Sequence, residues 1–364
     1  VDVLLQERRQ WAEADDEAFR LTEEVAAANA EVQRLERLLT DSERRLAASE
    51  AETKRQLQSG ASARSVAGAN GLVGRRVVAG LTGEGGCRVK ALVRDVDKGR
   101  ALFADRGGQV EVVGVPDWAE AVAGGDCRAI VNLCGEPVAT RWDAAAQKGI
   151  RSSRIDTTRA LVSAVNSAKA GRRPEVFVNA SAIGFYGTST VGIFDESSAA
   201  GNDFLADVCV DWEAEAAKVD PGVRLVTLRT GLVLDREGGV LGKMVPAFQM
   251  FAGGAMGSGE QWCSWVHHED VVGIIRLAID NPKAKGPINA VSPRPVTNAH
   301  FSRALGDALG RPSWLPVPDF ALKAALGDGA TLVLEGQRVL PTKAEALGYK
   351  FRHTEVEEAV RAAI

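Results

Sequence analysis

From Leu4 to Leu46, apolar or small residues recur at alternating spacings of four and three: Leu4, Trp11, Ala14, Ala18, Leu21, Val25, Ala28, Val32, Leu35, Leu39 and Leu46. Glu, Arg, Asp and Gln fill the positions between, as in EVQRLERLLTDSERRL, and neither Gly nor Pro interrupts before Gly60. A period of about 3.5 residues keeps one apolar seam on one side of a helix, and such a seam asks for a partner surface. The pattern predicts a long heptad helix over residues 1–58. It docks on a partner protein, self-associates as a coiled coil, or lies on the protein's own globular part. Alanine at several seam positions weakens the homodimeric case.

The pattern then changes. QSGASARS is small and polar and places a linker at 59–64. Beyond it, nearly continuous apolar runs alternate with helical periodicity: CRVKALVR, VEVVGV, AIVNLCG, EVFVNASAIG and RLVTLRTGLVL. Strands that are apolar on both faces belong in a parallel sheet covered by helices on both sides. The expected fold class is therefore α/β, a doubly wound, Rossmann-like parallel sheet over 65–282. A C-terminal cap segment over 283–364 follows, punctuated by Pro312, Pro316 and Pro318. The first strand should be short, because Ser62, Arg64 and Ser65 stand where apolar residues are expected.

SVAGANGLVGRR carries Gly68, Gly71 and Gly74 in a G-x-x-G-x-x-G register. At a strand-to-helix turn the missing Cβ atoms let backbone N–H groups approach a pyrophosphate, with Asn70, Leu72 and Val73 completing the loop. The next strand, RVKALVR, ends at Arg94, about twenty residues on, where a ribose-reading residue is expected. Arginine there can pair bidentately with the 2'-phosphate of NADP, so the cofactor expected is NADP(H). Arg75 and Arg76 either add charge near the phosphates or are solvated.

Bulk properties narrow the partners. A formal net charge of −4 and a pI near 5.8 give no global attraction to nucleic acid. No stretch reaches the roughly 20 apolar residues that span a bilayer, which leaves a soluble or peripherally associated chain. The five cysteines stand singly, without C-x-x-C or His pairing. They argue against a zinc cluster or a disulfide framework and for a reducing compartment. A first residue of Val rather than Met reads as a removed leader or as part of a longer chain.

VNLCGEPVATRWDAAAQKGIRSSRIDTTRALVSAV, NASAIGFYG, DFLADVCVDWEAEA, LRTGLVLDREGGVL, WCSWVHHEDVV and VLPTKAEALGY, in that order, resemble the atypical extended short-chain dehydrogenase/reductases of the NAD(P)-dependent epimerase family. The resemblance runs from about residue 62 to the end and is narrowest to the subgroup labelled nucleoside-diphosphate-sugar epimerase or cell-division-inhibitor-like protein. It implies that Leu133, Cys134 and Gly135 form the turn beside the adenosine ribose, and that Ser181 and Tyr186 approach the nicotinamide. In the loop, Val66-Ala67-Gly68-Ala69-Asn70 departs from the family's usual Thr-Gly opening.

The catalytic part departs further. The family's acid/base Tyr and the Lys four residues on would fall at Phe204 and Val208. Phenylalanine has no proton to give, and valine cannot hold a ribose hydroxyl. Tyr186, with Ser181, is the remaining catalytic candidate, against packing at a turn. His267 and Asp270 read as ties between a strand and the next helix. Glu136, Arg141 and Trp142, with Gln261 and Trp262 across the cleft, are candidates for a pocket suited to a polar substrate.

Two functions follow. One is an NADP(H)-dependent oxidoreductase or epimerase with a non-standard acid/base. The other is a non-catalytic accessory subunit of a larger, organellar assembly, docked through residues 1–58. The expected location is a reducing compartment, the cytoplasm or, as the resemblance implies, the plastid stroma.

Overall fold

The computed structural model describes residues 32–35, 39–40, 63–83 and 87–364. The chain divides into two compact units, Val1–Gly60 and Ala61–Ile364. Of the heptad helix expected over 1–58, residues 32–35 and 39–40 are α-helical, and the remainder lies outside the described residues. The seam residues Val32, Leu35 and Leu39 are exposed.

The second unit is built on one parallel sheet. Its strands are β1 (Ala63–Ala67), β2 (Val89–Leu92), β3 (Val110–Val113), β4 (Cys127–Asn132), β5 (Val176–Ala182), β6 (Arg224–Thr230) and β7 (Gly286–Ala290). They lie in the order β7-β6-β5-β4-β1-β2-β3. The order reverses between β1 and β4, and ligands of such sheets bind outside the carboxyl ends of the strands at that point. The expected doubly wound α/β fold is observed.

Eight helices position the cleft and the cap: α1 (Leu72–Gly83), α2 (Val96–Leu102), α3 (Trp118–Ala123), α4 (Ala144–Ser167), α5 (Phe204–Ala216), α6 (Gly239–Gln249), α7 (His268–Asp280) and α8 (Asn298–Leu309). Successive strand side chains point to opposite faces, so Val66 and Val131 join Val77, Leu81 and Ile274 in the core under α1 and α7. Their neighbours Ala67 and Ile130 join Leu161, Val165 and Ala216 under α4 and α5. Helix starts follow the local chemistry. Asp143 accepts from the Ala146 N–H at 2.8 Å, and Asp203 from the Ala206 N–H at 2.9 Å, each satisfying an orphan donor of the first turn.

Three expectations need correction. The first strand is not short: β1 begins at Ala63, inside the stretch read as linker, is buried throughout and pairs with both β2 and β4. Its polar side chains are tolerated because each finds a partner. Arg64 donates to Cys87 Sγ and Asp280 Oδ1, both at 3.1 Å, and Ser65 Oγ meets Cys127 Sγ at 3.2 Å. RLVTLRTGLVL is two strands, broken at Gly231. A Cβ there would stand 2.3 Å from the Ser264 carbonyl oxygen, and Leu232–Leu234 pairs instead with Trp265–His267. The boundary at 282/283 also fails, since β7 closes the edge of the main sheet beside β6.

The cap has its own core. Leu234, Leu241, Phe248 and Trp265 pack against Phe301, Leu305, Val356 and Val360, which ties α6, α8 and the last helix, Val356–Ala363, into one body. Among the described residues no helix is long and apolar enough to cross a membrane.

Candidate functional site

The glycine loop closes directly after β1. Gly68 has φ +77°, a conformation that side chains other than glycine adopt at a cost, and accepts a hydrogen bond from the Gly71 N–H at 3.0 Å. A Cβ on Gly68 would stand 3.0 Å from the Leu133 carbonyl, and one on Gly74 only 2.1 Å from the Gly68 oxygen. Two backbones and the start of α1 are thus packed as closely as hydrogen atoms allow. The first N–H groups of α1, which have no partner inside the helix, face out of this turn. Such a turn is a cradle for an anion.

Arg94 stands exposed two residues past β2. The acidic neighbour that competes for it in sequence is otherwise engaged: Asp95 caps α2, accepting from the Lys98 N–H at 3.0 Å. Among the described residues Arg94 therefore has no hydrogen-bond or ion-pair partner. Arg75 and Arg76 do not share that freedom. Arg76 makes two bonds to Asp235, at 2.8 and 3.0 Å, and Arg75 pairs with Glu237 at 2.8 Å. They fasten α1 to the segment after Leu234 and do not serve the phosphate loop.

The turn after β4 borders the same opening. The Leu133 N–H donates to Ala67 O at 2.9 Å, and the Cys134 N–H to Asn132 Oδ1 at 3.2 Å. Burial pushes the Cys134 thiol up to about 12, so it is a small filler and not a nucleophile at neutral pH. Asn132 also donates to Asn179 Oδ1 at 2.7 Å and to Thr158 Oγ1 at 2.9 Å, and Trp212 Nε1 reaches Thr158 at 2.8 Å. This buried polar chain locks β4, β5, α4 and α5 around the cleft.

The catalytic candidates are engaged elsewhere. Ser181 donates to Glu213 Oε1 at 2.7 Å, Glu213 holds Arg229 through bonds of 2.8 and 2.9 Å, and Arg229 donates to the Tyr186 oxygen at 3.1 Å. The Tyr186 hydroxyl in turn donates to Asn289 Oδ1 at 2.7 Å. Tyr186 is buried, and that burial raises its pKa despite the arginine. The two residues belong to one closed, hydrogen-bonded network, which is the packing role set against catalysis in the sequence. At the dyad positions, Phe204 packs edge-on against Trp142 with ring centroids 5.2 Å apart, and Val208 is buried.

One cation near the opening escaped the sequence reading. Arg154 lies under Gly135, where an added Cβ would be 3.0 Å from its guanidinium carbon. Among the described residues it donates only to backbone carbonyls, Ile150 at 2.8 Å and Glu136 at 3.0 Å, and it sits 5.3 Å over the Trp212 ring. Burial lowers its pKa, with the charge on Glu136 only partly compensating. A signal existed: Ile150, Arg154, Thr158, Leu161 and Val165 form one stripe of α4, apolar except where it meets the cleft.

The pocket residues do not form one wall. Glu136 is exposed, with its carboxylate over Gly149. Arg141 donates to Ala324 O and the Trp142 N–H to Leu326 O at 3.0 Å, pinning the 324–327 segment, while Trp142 Nε1 donates to Val138 O at 2.8 Å. Gln261 is buried and donates to Met256 O and Val333 O, and Trp262 donates to Thr190 O. Those two organise the cap. A groove of about 430 Å³ between α4 and α5 is lined by Arg159, Glu215 and Lys218, and no residue of the glycine loop lines it.

The comparison with known families decides the assignment. The model of the NAD dependent epimerase/dehydratase family matches residues 65–291. The chain belongs to this family. A domain of unknown function, DUF1731, matches residues 317–363 of this epimerase-family protein. It is 46% identical over 299 residues to the epimerase family protein SDR39U1 homolog, chloroplastic, of Arabidopsis thaliana, covering 82% of this chain and 85% of that one. It is 42% identical over 238 residues to the epimerase family protein MT2273 of Mycobacterium tuberculosis, covering 65% and 78%. The crystal structure of human epimerase family protein SDR39U1, isoform 2, with NADPH superposes with a TM-score of 0.74 at 31% identity, covering 83% of this chain and 98% of that one.

Proposed function

We propose that this epimerase-family protein binds NADP(H) and acts as an oxidoreductase or epimerase without the Tyr-x-x-x-Lys acid of typical short-chain dehydrogenases. The observation that carries the reading is Arg94, a guanidinium with no partner among the described residues, just past β2 and beside a turn that only glycine fits. Gly68, Gly71 and Gly74, with the N–H groups of Leu72 and Val73 at the start of α1, would hold the pyrophosphate. Asn70 flanks it, Arg94 would take the 2'-phosphate, and Leu133–Gly135 would lie along the ribose. The bound nicotinamide supplies or accepts a hydride. The human relative whose structure contains NADPH supports this choice of cofactor.

The chain's own residues then set the chemistry. Tyr186 and Ser181 are sealed in the Glu213–Arg229 network, and Phe204 and Val208 carry no proton, so the proton comes from water or from the substrate itself. Arg154 supplies the positive charge that a lysine would otherwise bring to this side of the cleft, and it favours a polar or anionic substrate. Fluorescence titration with NADPH and NADH tests the binding half: NADPH should bind more tightly, and equal affinities would sink it. A panel of carbonyl compounds and nucleotide sugars, followed at the reduced-nicotinamide band, tests turnover.

The exposed seam residues Val32, Leu35 and Leu39 favour a second reading, an accessory subunit docked through residues 1–58. Deleting 1–58 should release the protein from its assembly and leave NADPH binding intact. Persistence in the assembly would exclude that role. The chloroplastic Arabidopsis relative supports a plastid location.

A further inference from the structure

Three of the four histidines converge away from the glycine loop. His267 caps α7, His268 and Glu269 open that helix, and His353 arrives from a turn 84 residues beyond Glu269. The His267 and His353 rings lie 3.9 Å apart between centroids, and those of His267 and His268 4.3 Å apart. Glu269 Oε2 is 3.1 Å from His353 Nε2 and 3.9 Å from His267 Nδ1. One ligand atom from each of His267, Glu269 and His353 lies within 4.8 Å of the other two.

We propose that His267, Glu269 and His353 form a binding site for one divalent transition-metal ion of the zinc class. Bonds of about 2.0–2.2 Å from a tetrahedral ion to nitrogen and oxygen separate neighbouring ligand atoms by about 3.3–3.6 Å. The observed 3.1 and 3.9 Å bracket that value, so small side-chain rotations complete the triad. Three protein ligands leave a fourth position for water, the arrangement of an open site.

Several features of the surroundings suit an ion. The His267 ring is buried yet poorly served by the protein, with only a long 3.3 Å contact from the Glu269 N–H at Nδ1 and no partner at Nε2. An ion bound at Nδ1 replaces this capping contact from the Glu269 N–H. The turn carrying His353 is held rigidly. Buried Asp270 accepts from the Arg352 N–H at 2.8 Å, the His353 N–H at 3.1 Å and the Tyr349 hydroxyl at 2.9 Å. Arg352, 3.8 Å from Glu269, is the competing cation, and it lies at the exposed rim. The site does not depend on the cofactor reading, since among the described residues no hydrogen bond or ion pair joins its three residues to the glycine loop or Arg94. The sequence carries no local signal for it, because the cysteines stand singly and His353 is 84 residues from Glu269.

The test is direct titration of the full chain, stripped with chelator, with Co²⁺ and then Zn²⁺. The expected result is a visible Co²⁺ ligand-field band saturating at one equivalent and displaced by Zn²⁺. His353→Gln and Glu269→Gln should each weaken binding by at least about 100-fold, since losing a direct ligand exceeds the 10–100-fold typical of an outer-shell partner. His300→Gln should change nothing, because the half-buried His300–Glu357 hydrogen bond, 2.6 Å long, brings only one imidazole to one carboxylate. Glu269 is exposed, so its variant keeps the test valid where a histidine variant fails to fold. No stoichiometric binding by the wild-type chain, or binding by Glu269→Gln equal to wild type, overturns the site.

Discussion

Adding one methyl group at Gly74 tests the geometry of the cofactor loop. In Gly74→Ala the new Cβ would fall 2.1 Å from the Gly68 carbonyl oxygen and 2.9 Å from the carbonyl carbon and Cα of Ala69. All three atoms are backbone, so no flexible side chain can swing aside, and α1 must move away from the turn. Overpacking of this kind costs about 1–3 kcal/mol. Because the displaced groups are the N–H donors of the anion cradle, NADPH binding should weaken beyond that stability cost. Gly83→Ala is the control on the same helix. A Cβ there meets nothing within 4 Å, so exchanging glycine for the better helix former should leave stability unchanged or raise it by up to about 1 kcal/mol. Thermal melts and NADPH fluorescence titrations of both variants read the two effects. A Gly74→Ala protein that melts and binds like wild type would refute the close-approach argument.

Other consequences follow from the same contacts. Arg94→Ala should weaken NADPH binding about 10- to 150-fold, the value of a charge-assisted hydrogen bond of about 1.5–3 kcal/mol, and leave NADH unaffected in side-by-side titrations. Glu213→Ala strands Arg229 with 5% of its side chain exposed and removes the acceptor of Ser181. Chemical denaturation should show a loss of about 3–5 kcal/mol. Tyr186→Phe should cost about 1–3 kcal/mol through the acceptor it leaves unpaired, with NADPH affinity retained; a selective loss of turnover would restore Tyr186 as an acid. Burial works against the Asp235 carboxylate, but the bonds and charge of Arg76 outweigh it and hold its pKa below the usual value. A depressed acid contributes stability above its unfolded pKa of about 3.9 and loses it as pH falls through the folded value. Wild-type melting temperature should therefore fall more steeply than that of Asp235→Asn as pH drops below about 4.

The glycine turn and the placement of Arg94 were legible because their constraints are local. Gly68, Gly71, Gly74 and Arg94 lie on one strand-turn-helix-strand unit, where spacing alone dictates geometry. Ser181 and Tyr186 were legible only as chemical types. Their hydroxyls could serve a substrate or a network, and the choice rests on Glu213, Arg229 and Asn289, which come from other elements. Arg154 went unnoticed because an arginine on a helix reads as solvated until the neighbouring turn is laid over it.

By itself the sequence determined the α/β class, the strand-to-helix glycine turn and the identity of Phe204 and Val208 as side chains with no proton to give. Periodicity and residue type are local quantities, and they survive any arrangement of the rest of the chain. Only the tertiary structure decided that β1 is a full central strand despite Arg64 and Ser65, and that β7 belongs to the main sheet. It also decided that Tyr186 is bound to Asn289, and that three histidines meet. Each depends on which groups distant in sequence are brought within hydrogen-bonding reach. A polar side chain carries no record of its partner until the chain is folded around it.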